Sequence, residues 1–489
     1  IAESTVVGNL TLTSGNASGI TDSGTLTIGG NLSATTDAGD GVVNLGTLAV
    51  DGTIALATNG TGDALVVNDA GLTFAASAVG QDLTATATTG NIIDNAAVSV
   101  GRNLAVTATA DDGTVNLGTL EVDGTIALTT NGTNGNVTLV NDVGLAFAAS
   151  TVDGTLSATA TTGNMTDSGA LAISGTSAFI TSANNATIAL DTTTNAFTGA
   201  ITLTTNDNDG TVAHATIDGG TTALVIAEST VVGNLTLTSG NASGITDSGT
   251  LTIGGNLSAT TDVNDITINL GTLAVDGTIA LTTNGTNGNV TLVNDVGLAF
   301  AASTVDGVLS ATATTGDISD SGTQTILGAA TYITGVADSN IILNDGANTY
   351  AAGVIFRADA GGETFGNLTF VDTGGIKLDS DANSAGDLFI DAATDGAVGG
   401  DLTLTSVTGN ITQGVTVAVG GATSLTTSAN DATITLSNTS NAFTGAITLT
   451  TNDNDGTVAH ATIDGGTTAL RIAESTVVGN LTLTSGNAS

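Results

Sequence analysis

Carboxylates are the most numerous ionisable side chains in this chain, and the chemistry that they could do is calcium binding. The chain has 45 acidic residues against four basic ones. In the segment DSDANSAGD, Asp379, Asp381 and Asn383 alternate as oxygen ligands do in the first half of a calcium-binding loop. The glycine at the sixth position and the glutamate at the twelfth position of such a loop are missing. Because the alternation of oxygen ligands is nevertheless present, we treat these three residues as calcium candidates.

A second set of candidates lies in the segment TNDNDG. Asp207 and Asp209 could bind calcium across a turn, and the same segment recurs with Asp453 and Asp455. The competing interpretation is a turn in which aspartate and asparagine side chains bond their own backbone. The sequence leaves both interpretations open.

The remaining reactive residue types do not form a catalytic constellation. His214 and His460 are the same position in two copies of one repeat, and neither has a second histidine, a cysteine or a basic residue beside it. We predict that each is a surface or turn residue and not a catalytic base or a metal ligand. The absence of cysteine excludes thiol chemistry and zinc–thiolate sites. We predict no enzyme activity, no catalytic residues and, calcium apart, no cofactor.

The charge balance excludes two classes of partner. The net charge is −41, and the basic residues are Arg102, Arg357, Lys377 and Arg471. Nucleic acids and anionic bilayers are bound through clustered lysine and arginine, so neither is expected as a partner. The chain also has no apolar run of the length that a membrane-spanning helix needs, so membrane insertion is not expected.

The elements that would position these residues belong to repeats. The segment IAESTVVGNLTLTSGNAS occurs at residue 1, at residue 226 and at residue 472. It predicts one long unit over 1–225, a second over 226–471 with a divergent insert over 323–401, and the start of a third over 472–489. We expect one continuous rod, cut as a window from a longer repetitive chain.

Whole blocks are also inserted within these units. The segment VNLGTLAVDGTIAL from Val43 returns as VNLGTLEVDGTIAL from Val115, a duplication that the second unit lacks. Insertion of whole blocks is tolerated when each block packs only on its neighbours, as in solenoid proteins.

A shorter period predicts the architecture. Apolar residues that follow a turn recur about every 21 or 22 positions, and a longer interval, as from Ile126 to Leu156, is interpreted as a longer coil. Apolar residues alternate with Thr, Ser and Asn between these points, which indicates strands, and Gly, Asn and Asp supply the turns. The pattern predicts an all-β parallel β-helix, or β-solenoid. The two clearest series of apolar residues are Leu10, Leu32 and Ile54, and Leu83, Leu104 and Ile126.

Several segments resemble a known family. NAFTGAITLTTND, STVVGNLTLTSGNASGITDSG and SGTSAFITSANNATIALDTT are similar to repeat regions of filamentous-haemagglutinin-like adhesins, which are very large bacterial exoproteins. The resemblance covers nearly the whole chain and is weakest over 323–401. It implies a right-handed parallel β-helix, export across a Gram-negative outer membrane, and a stalk or fibre at the cell surface.

We therefore expect a non-catalytic, extracellular structural protein that forms the stalk of a bacterial surface adhesin. Expected partners are other copies of itself, other surface components, and host or surface receptors. The alternative is a self-assembling subunit of an extracellular filament, sheath or matrix, bridged by cations. A remote alternative is ice binding by threonine rows such as Thr11 with Thr13. Three phenylalanines of the insert are expected in the core: Phe356, Phe365 and Phe370.

Overall fold

The structure is a computed structural model that describes residues 1–37, 39–208, 213–358, 364–392, 394–454 and 459–486. The described residues form β-strands, turns and bends, and they contain no helix. Consequently, no helix in these residues is long and apolar enough to cross a membrane. The chain divides into two compact units, Ile1–Asn241 and Ala242–Ser489.

The strands of the first unit are short, and short turns connect them. In chain order, β1 to β30 are Ser4–Val6, Leu10–Ser14, Ile20–Thr21, Leu26–Ile28, Leu32–Thr36, Val43–Val50, Thr53–Ala57, Ala64–Asn68, Leu72–Phe74, Ser77–Val79, Leu83–Ala87, Ile92–Asp94, Val98–Val100, Leu104–Asp111, Val115–Val122, Thr125–Asn131, Val137–Asn141, Leu145–Phe147, Ser150–Val152, Leu156–Ala160, Met165–Asp167, Leu171–Ile173, Ser177–Asn184, Ile188–Leu190, Ala196–Phe197, Ile201–Asn206, Ala215–Asp218, Leu224–Ile226, Ser229–Val231 and Leu235–Ser239.

The second unit is built from strands of the same kind. In chain order, β31 to β58 are Ile245–Asp247, Leu251–Ile253, Leu257–Asn264, Ile268–Val275, Ile279–Asn284, Val290–Asn294, Leu298–Phe300, Ser303–Val305, Leu309–Ala313, Ile318–Asp320, Gln324–Ile326, Ala330–Thr334, Ile341–Leu343, Thr349–Tyr350, Val354–Ala358, Leu368–Asp372, Ile376–Leu378, Asp387–Asp391, Ala397–Val398, Leu402–Ser406, Ile411–Gln413, Ala418–Val419, Thr423–Asn430, Ile434–Leu436, Ala442–Phe443, Ile447–Asn452, Ala461–Asp464 and Leu481–Thr484.

Within each unit the chain alternates between two facing parallel sheets. In the first unit, sheet A consists of β1, β3, β4, β6, β8, β11, β14, β16, β18, β19, β21, β22, β24, β25, β27 and β30, and sheet B consists of the other strands. In the second unit, sheet C consists of β33, β35, β37, β38, β40, β41, β43, β44, β46, β50, β53 and β56, a small sheet consists of β49, β52 and β55, and sheet D consists of the other strands.

The pairing confirms the predicted all-β parallel solenoid and its period. Leu10 pairs with Leu32 and Leu32 pairs with Ile54, so one coil of the chain separates the members of this series. Leu83 pairs with Leu104 and Leu104 pairs with Ile126 in the same way. Sequence repetition appears directly as strand pairing because, in a parallel stack, equivalent residues of successive coils lie beside each other.

Coil length varies around this period, as expected. Ile188 pairs with Ala215 and Leu368 pairs with Leu402, so each of these coils is longer than the coil from Leu10 to Leu32. In the coil from Leu368 to Leu402 the extra residues include an additional strand, β48, and Leu368 still pairs with Leu402.

The interpretation of the interval from Ile126 to Leu156 as one longer coil is wrong. Ile126 completes an ordinary coil by pairing with Phe147, whereas Leu156 lies in the opposite sheet and pairs with Val137. The interval is a coil and a half. It moves the repeated motif from sheet A to sheet B, because a chain that visits two sheets per coil returns to the other sheet after half a coil.

Identical or nearly identical sequences therefore occupy opposite sheets. VNLGTLAV forms β6 in sheet A, and VNLGTLEV forms β15 in sheet B. Both strands carry a register shift at the equivalent place, Leu45/Leu48 in β6 and Leu117/Leu120 in β15. Likewise LTLTS forms β2 in sheet B and β30 in sheet A. The two sheets are thus equivalent environments for the same side chains.

This equivalence predicts that the duplicated block over 43–114 can be removed. Its deletion brings Val115 to the position of Val43, so that β15 replaces β6 and every later strand of the first unit changes sheet. We expect a folded chain whose thermal midpoint by circular dichroism lies within a few degrees of the wild-type value, because each strand keeps equivalent neighbours. Deleting 43–78 instead places the turn VGQDL where β6 should be, and we expect this control to melt earlier. Equal losses in both variants would contradict the prediction.

The core is a dry space between the two sheets. In β5, Leu32, Ala34 and Thr36 are buried and the intervening residues are half-buried. The side chains alternate in this way because successive residues of a strand point to opposite faces. Three phenylalanines of the insert are in the core, as predicted: Phe356, Phe365 and Phe370 are 0%, 1% and 2% exposed. The fourth, Phe389 in β48, is half-buried.

Candidate functional site

The candidate calcium residues of the insert lie where the strand order departs from the chain order. In sheet D, β48 pairs with β45 on one side and with β47 on the other, and β47 continues to β51. Although β48 follows β47 in the chain, it lies between β47 and β45, the strand of the preceding coil. The connecting loop, residues 379–386, packs against Gly353, where a Cβ atom would collide with the Ala382 carbonyl oxygen. Glycine is therefore required at that position.

This loop brings three carboxylates together. Asp379, Asp381 and Asp387 each have an oxygen within 4.8 Å of the others. Asn383 is exposed in the same loop. Asp387 is the last residue of the DSDANSAGD segment and was not singled out from the sequence. Its position directly before the apolar run LFI, which marks a strand start, is the signal that could have placed it beside the loop.

A lysine occupies one side of this cluster. The Lys377 ammonium group donates to Oδ2 of Asp379, and its Nζ lies 3.7 Å from Oδ1 of Asp387. The other oxygens of Asp379 and Asp387 accept backbone N–H groups, Ser380 N–H to Asp379 Oδ1 at 2.8 Å and Ser384 N–H to Asp387 Oδ2 at 2.9 Å. The hydrogen bond from Lys377 lowers the pKa of Asp379, and the same bond raises the pKa of Lys377. A calcium ion would have to compete with this ammonium group.

A groove with a volume of about 340 Å³ adjoins the cluster. Lys377 and Asp387 form part of its lining, together with Tyr350, Asp372 and Asn410. Asp372 is 2% exposed and accepts the Tyr350 N–H at 3.4 Å, and burial raises the pKa of its carboxyl group.

Asp372 predicts a pH-dependent gain in stability. A carboxyl group with a raised folded-state pKa costs no stability below its ordinary pKa of about 3.9. The cost grows as the pH rises from that value to the folded-state pKa, and it stays constant at higher pH. We therefore expect Asp372→Asn to raise the thermal midpoint at pH 7 and to leave it unchanged at pH 3. The exposed residue Asp381→Asn is the matched control. A lower midpoint for Asp372→Asn at pH 7 would contradict the prediction.

The TNDNDG candidates are only partly described. Asp207 is half-buried directly after β26. Asp209 lies outside the described residues, as does Asp455 of the second copy. Calcium binding by these residues stays a prediction.

Other carboxylates bond the backbone of the following coil. Oδ1 of Asp22 accepts the Gly46 N–H at 3.1 Å, and Oδ2 accepts the Thr47 N–H at 2.8 Å and the Thr47 hydroxyl at 2.9 Å. Asp94 and Asp247 make the same three bonds to their own next coils. These aspartates hold the bulge at which β6 and its counterparts shift register.

Aspartates also stabilise corners in the left-handed backbone region. Asp40 and Asp265 have φ of 56° and 63°. Their Oδ1 atoms accept the N–H groups of Thr61 and Thr286, each at 2.7 Å, and these bonds lower the pKa of both carboxyl groups. Aspartate and asparagine tolerate this backbone conformation better than other non-glycine residues.

Buried asparagine side chains also bond backbone groups of a neighbouring coil, inside the solenoid. Oδ1 of Asn141 accepts the Val122 N–H at 2.8 Å, and its Nδ2 donates to the Val122 carbonyl at 3.1 Å and to the Gly144 carbonyl at 2.6 Å. Asn68 and Asn294 make equivalent sets of bonds. All three are at most 1% exposed. Each asparagine side chain bonds a backbone carbonyl in the turn of its own coil, and it also bonds the backbone of the preceding coil.

Two of the arginines, Arg102 and Arg357, each pair with a single aspartate. Arg102 donates to both oxygens of Asp82, and this pairing lowers the pKa of Asp82. Arg357 Nε donates to Oδ2 of Asp391 at 2.6 Å. Both pairs join a residue to one in another coil, and both lie at the surface.

The threonine row considered for ice binding is short. Thr11 and Thr13 are exposed, and they pair with Ser33 and Thr35 of the next coil. In the coil after that, the equivalent residues are alanines. The row thus loses its hydroxyl groups within three coils.

Three stretches of the chain, residues 134–204, 287–356 and 366–450, match a family described as repeats of unknown function (DUF5649). Together these stretches cover a little under half of the chain. No curated protein and no solved structure matches the chain. The matches and the solenoid fold agree that the chain is a repeat protein.

Proposed function

We propose that the chain is a non-catalytic structural solenoid that acts as a stiff spacer in an extracellular bacterial surface fibre. The observation that carries the proposal is the use of the polar side chains. The side chains of aspartates such as Asp22 and of asparagines such as Asn141 form hydrogen bonds to backbone groups of the next or the preceding coil. The cell-surface part of the proposal is supported by the resemblance to filamentous-haemagglutinin-like repeats.

The spacer would work through contacts between successive coils. Each strand pairs with the equivalent strands of the preceding and the following coil, as β5 pairs with β2 and with β7. Bending or stretching the stack must break backbone bonds, corner bonds and core contacts in the same coil. Length can change by whole blocks without a new core, because every block meets the same kind of neighbour.

The net charge of −41 supports the spacer over a bundled assembly. Acidic surfaces of neighbouring fibres repel each other, and only a counterion could bridge them. A calcium-bridged filament or sheath is therefore the alternative that the test has to distinguish.

Two measurements test the proposal: electron microscopy of the native material with and without a calcium chelator, and the mass of the intact chain. We expect a very large chain that forms thin single fibres, and these fibres should persist in the chelator. Bundles or tubes of many chains that dissolve in the chelator would overturn the spacer proposal and favour the cation-bridged assembly.

A further inference from the structure

The corners of the solenoid contain a repeated acceptor position. We call it the corner acceptor: the residue directly before a strand, whose side chain accepts the backbone N–H of the equivalent residue in the next coil. Oδ1 of Asn9 accepts the Asn31 N–H, and Oδ1 of Asn31 accepts the Thr53 N–H, both at 2.9 Å. Oδ1 of Asn164 accepts the Thr187 N–H at 2.9 Å. A carboxamide does this at any pH, because it does not titrate.

Both histidines of the chain occupy this position. His214 directly precedes β27, and its Nδ1 accepts the Asn234 N–H at 2.9 Å. His460 directly precedes β57, and its Nδ1 accepts the Asn480 N–H at 2.9 Å. The imidazole fits because the residue before each asparagine is glycine: a Cβ atom on Gly233 would collide with His214 Nδ1.

The contact requires one protonation state. An imidazole nitrogen accepts a hydrogen bond only when it carries no proton, so both histidines must be neutral with the proton on Nε2. Protonation places a hydrogen on Nδ1, opposite the Asn234 or Asn480 N–H, and the bond is lost.

Among the described residues, no carboxylate lies within 4.0 Å of either imidazole. The strands stacked on the histidine coils, β24 and β30 for His214 and β54 and β58 for His460, carry no charged residue. Described charged residues in the adjoining turns and strand ends are Asp191, Asp207, Asp218 and Glu228 for His214, and Asp431, Asp453, Asp464, Arg471 and Glu474 for His460. Asp209 and Asp455 precede the histidines in the same turns and lie outside the described residues.

We propose that His214 and His460 are acid-sensitive joints, one in each unit. The neutral imidazole holds the next coil through Nδ1, and protonation of Nδ1 releases it. The strands that follow the released corner, β30 and β58, then open more often. Opening that is coupled to the uptake of one proton becomes more frequent as the pH falls, by at most about tenfold for each pH unit.

Hydrogen exchange on the full chain tests the proposal. Protection of peptides spanning 232–239 and 478–484 would be measured at pH 7.5 and pH 5.5, with each rate divided by the intrinsic rate at that pH. We expect protection to fall about tenfold or more in the wild type. In the double variant His214→Asn and His460→Asn, whose carboxamides restore the usual corner acceptor, we expect no such fall. An unchanged wild type, or an equal fall in both proteins, would overturn the proposal.

A second measurement keeps the proposal falsifiable if the variant does not fold. The chain has two histidines, so ¹³C,¹⁵N-histidine labelling gives two resolvable imidazole spectra. At pH 7.5 we expect both in the tautomer with an unprotonated Nδ1. A proton on Nδ1 at that pH would overturn the proposal.

Discussion

Replacing Phe179 with alanine is expected to cost about 3–5 kcal/mol of local stability in the first unit. Phe179 projects from sheet B between two rings of sheet A, with ring centroids 6.3 Å from Phe147 and 6.0 Å from Phe197, both in edge-on geometry. All three rings are 0% exposed. Alanine would leave a cavity between the sheets and remove both ring contacts, each worth about 0.5–1.5 kcal/mol beyond burial.

Hydrogen exchange would measure this loss and its extent. Because each coil packs only on its neighbours, we expect faster exchange in β20, β23 and β26 and unchanged exchange in β5. Phe179→Leu, which keeps most of the volume, is the control and should cost less than half as much. A uniform loss across the unit would contradict a solenoid whose coils are stabilised by their neighbours.

Replacing Asn141 with alanine is expected to cost roughly 3 kcal/mol or more, because each buried polar group left unpaired costs about 1–3 kcal/mol. No large side chain is removed. The change leaves the Val122 N–H, the Val122 carbonyl and the Gly144 carbonyl without their partner, and Asn141 is 0% exposed.

The matched control is Asn116→Ala in β15, where the asparagine side chain is exposed. We expect its effect to stay within about 0.5 kcal/mol in chemical denaturation. If the two variants lost the same stability, the buried bonds of Asn141 would have no net value, and its role in fixing coils would have to be abandoned.

Much of the architecture could be predicted from the sequence, because parallel coils turn sequence distance into spatial contact. The series Leu10, Leu32 and Ile54 has the spacing of the coil, and these residues pair in the structure. Alternation of apolar and polar residues likewise predicts which side chains enter the core, since a strand exposes every second residue to it.

The candidate site was predicted only in part. Asp379 and Asp381 lie together in one loop, as their spacing indicated. Lys377 is two residues before Asp379 and bonds it locally, whereas Asp387 joins them only because β48 inserts between β45 and β47, against the chain order. No local pattern encodes that insertion. The role of His214 had a signal, since it precedes a strand as Asn9 and Asn31 do, but the contact from its Nδ1 to the next coil is a tertiary fact.

The sequence by itself determined that the chain forms parallel strands, how long a coil is, and which residues face inward. Only the tertiary structure decided which sheet each copy of a motif occupies. LTLTS lies in sheet B as β2 and in sheet A as β30, although the residues are the same. The physical reason is that both sheets offer the same narrow, dry environment, so a motif has no preference between them. Its position is decided by the number of half-coils that precede it.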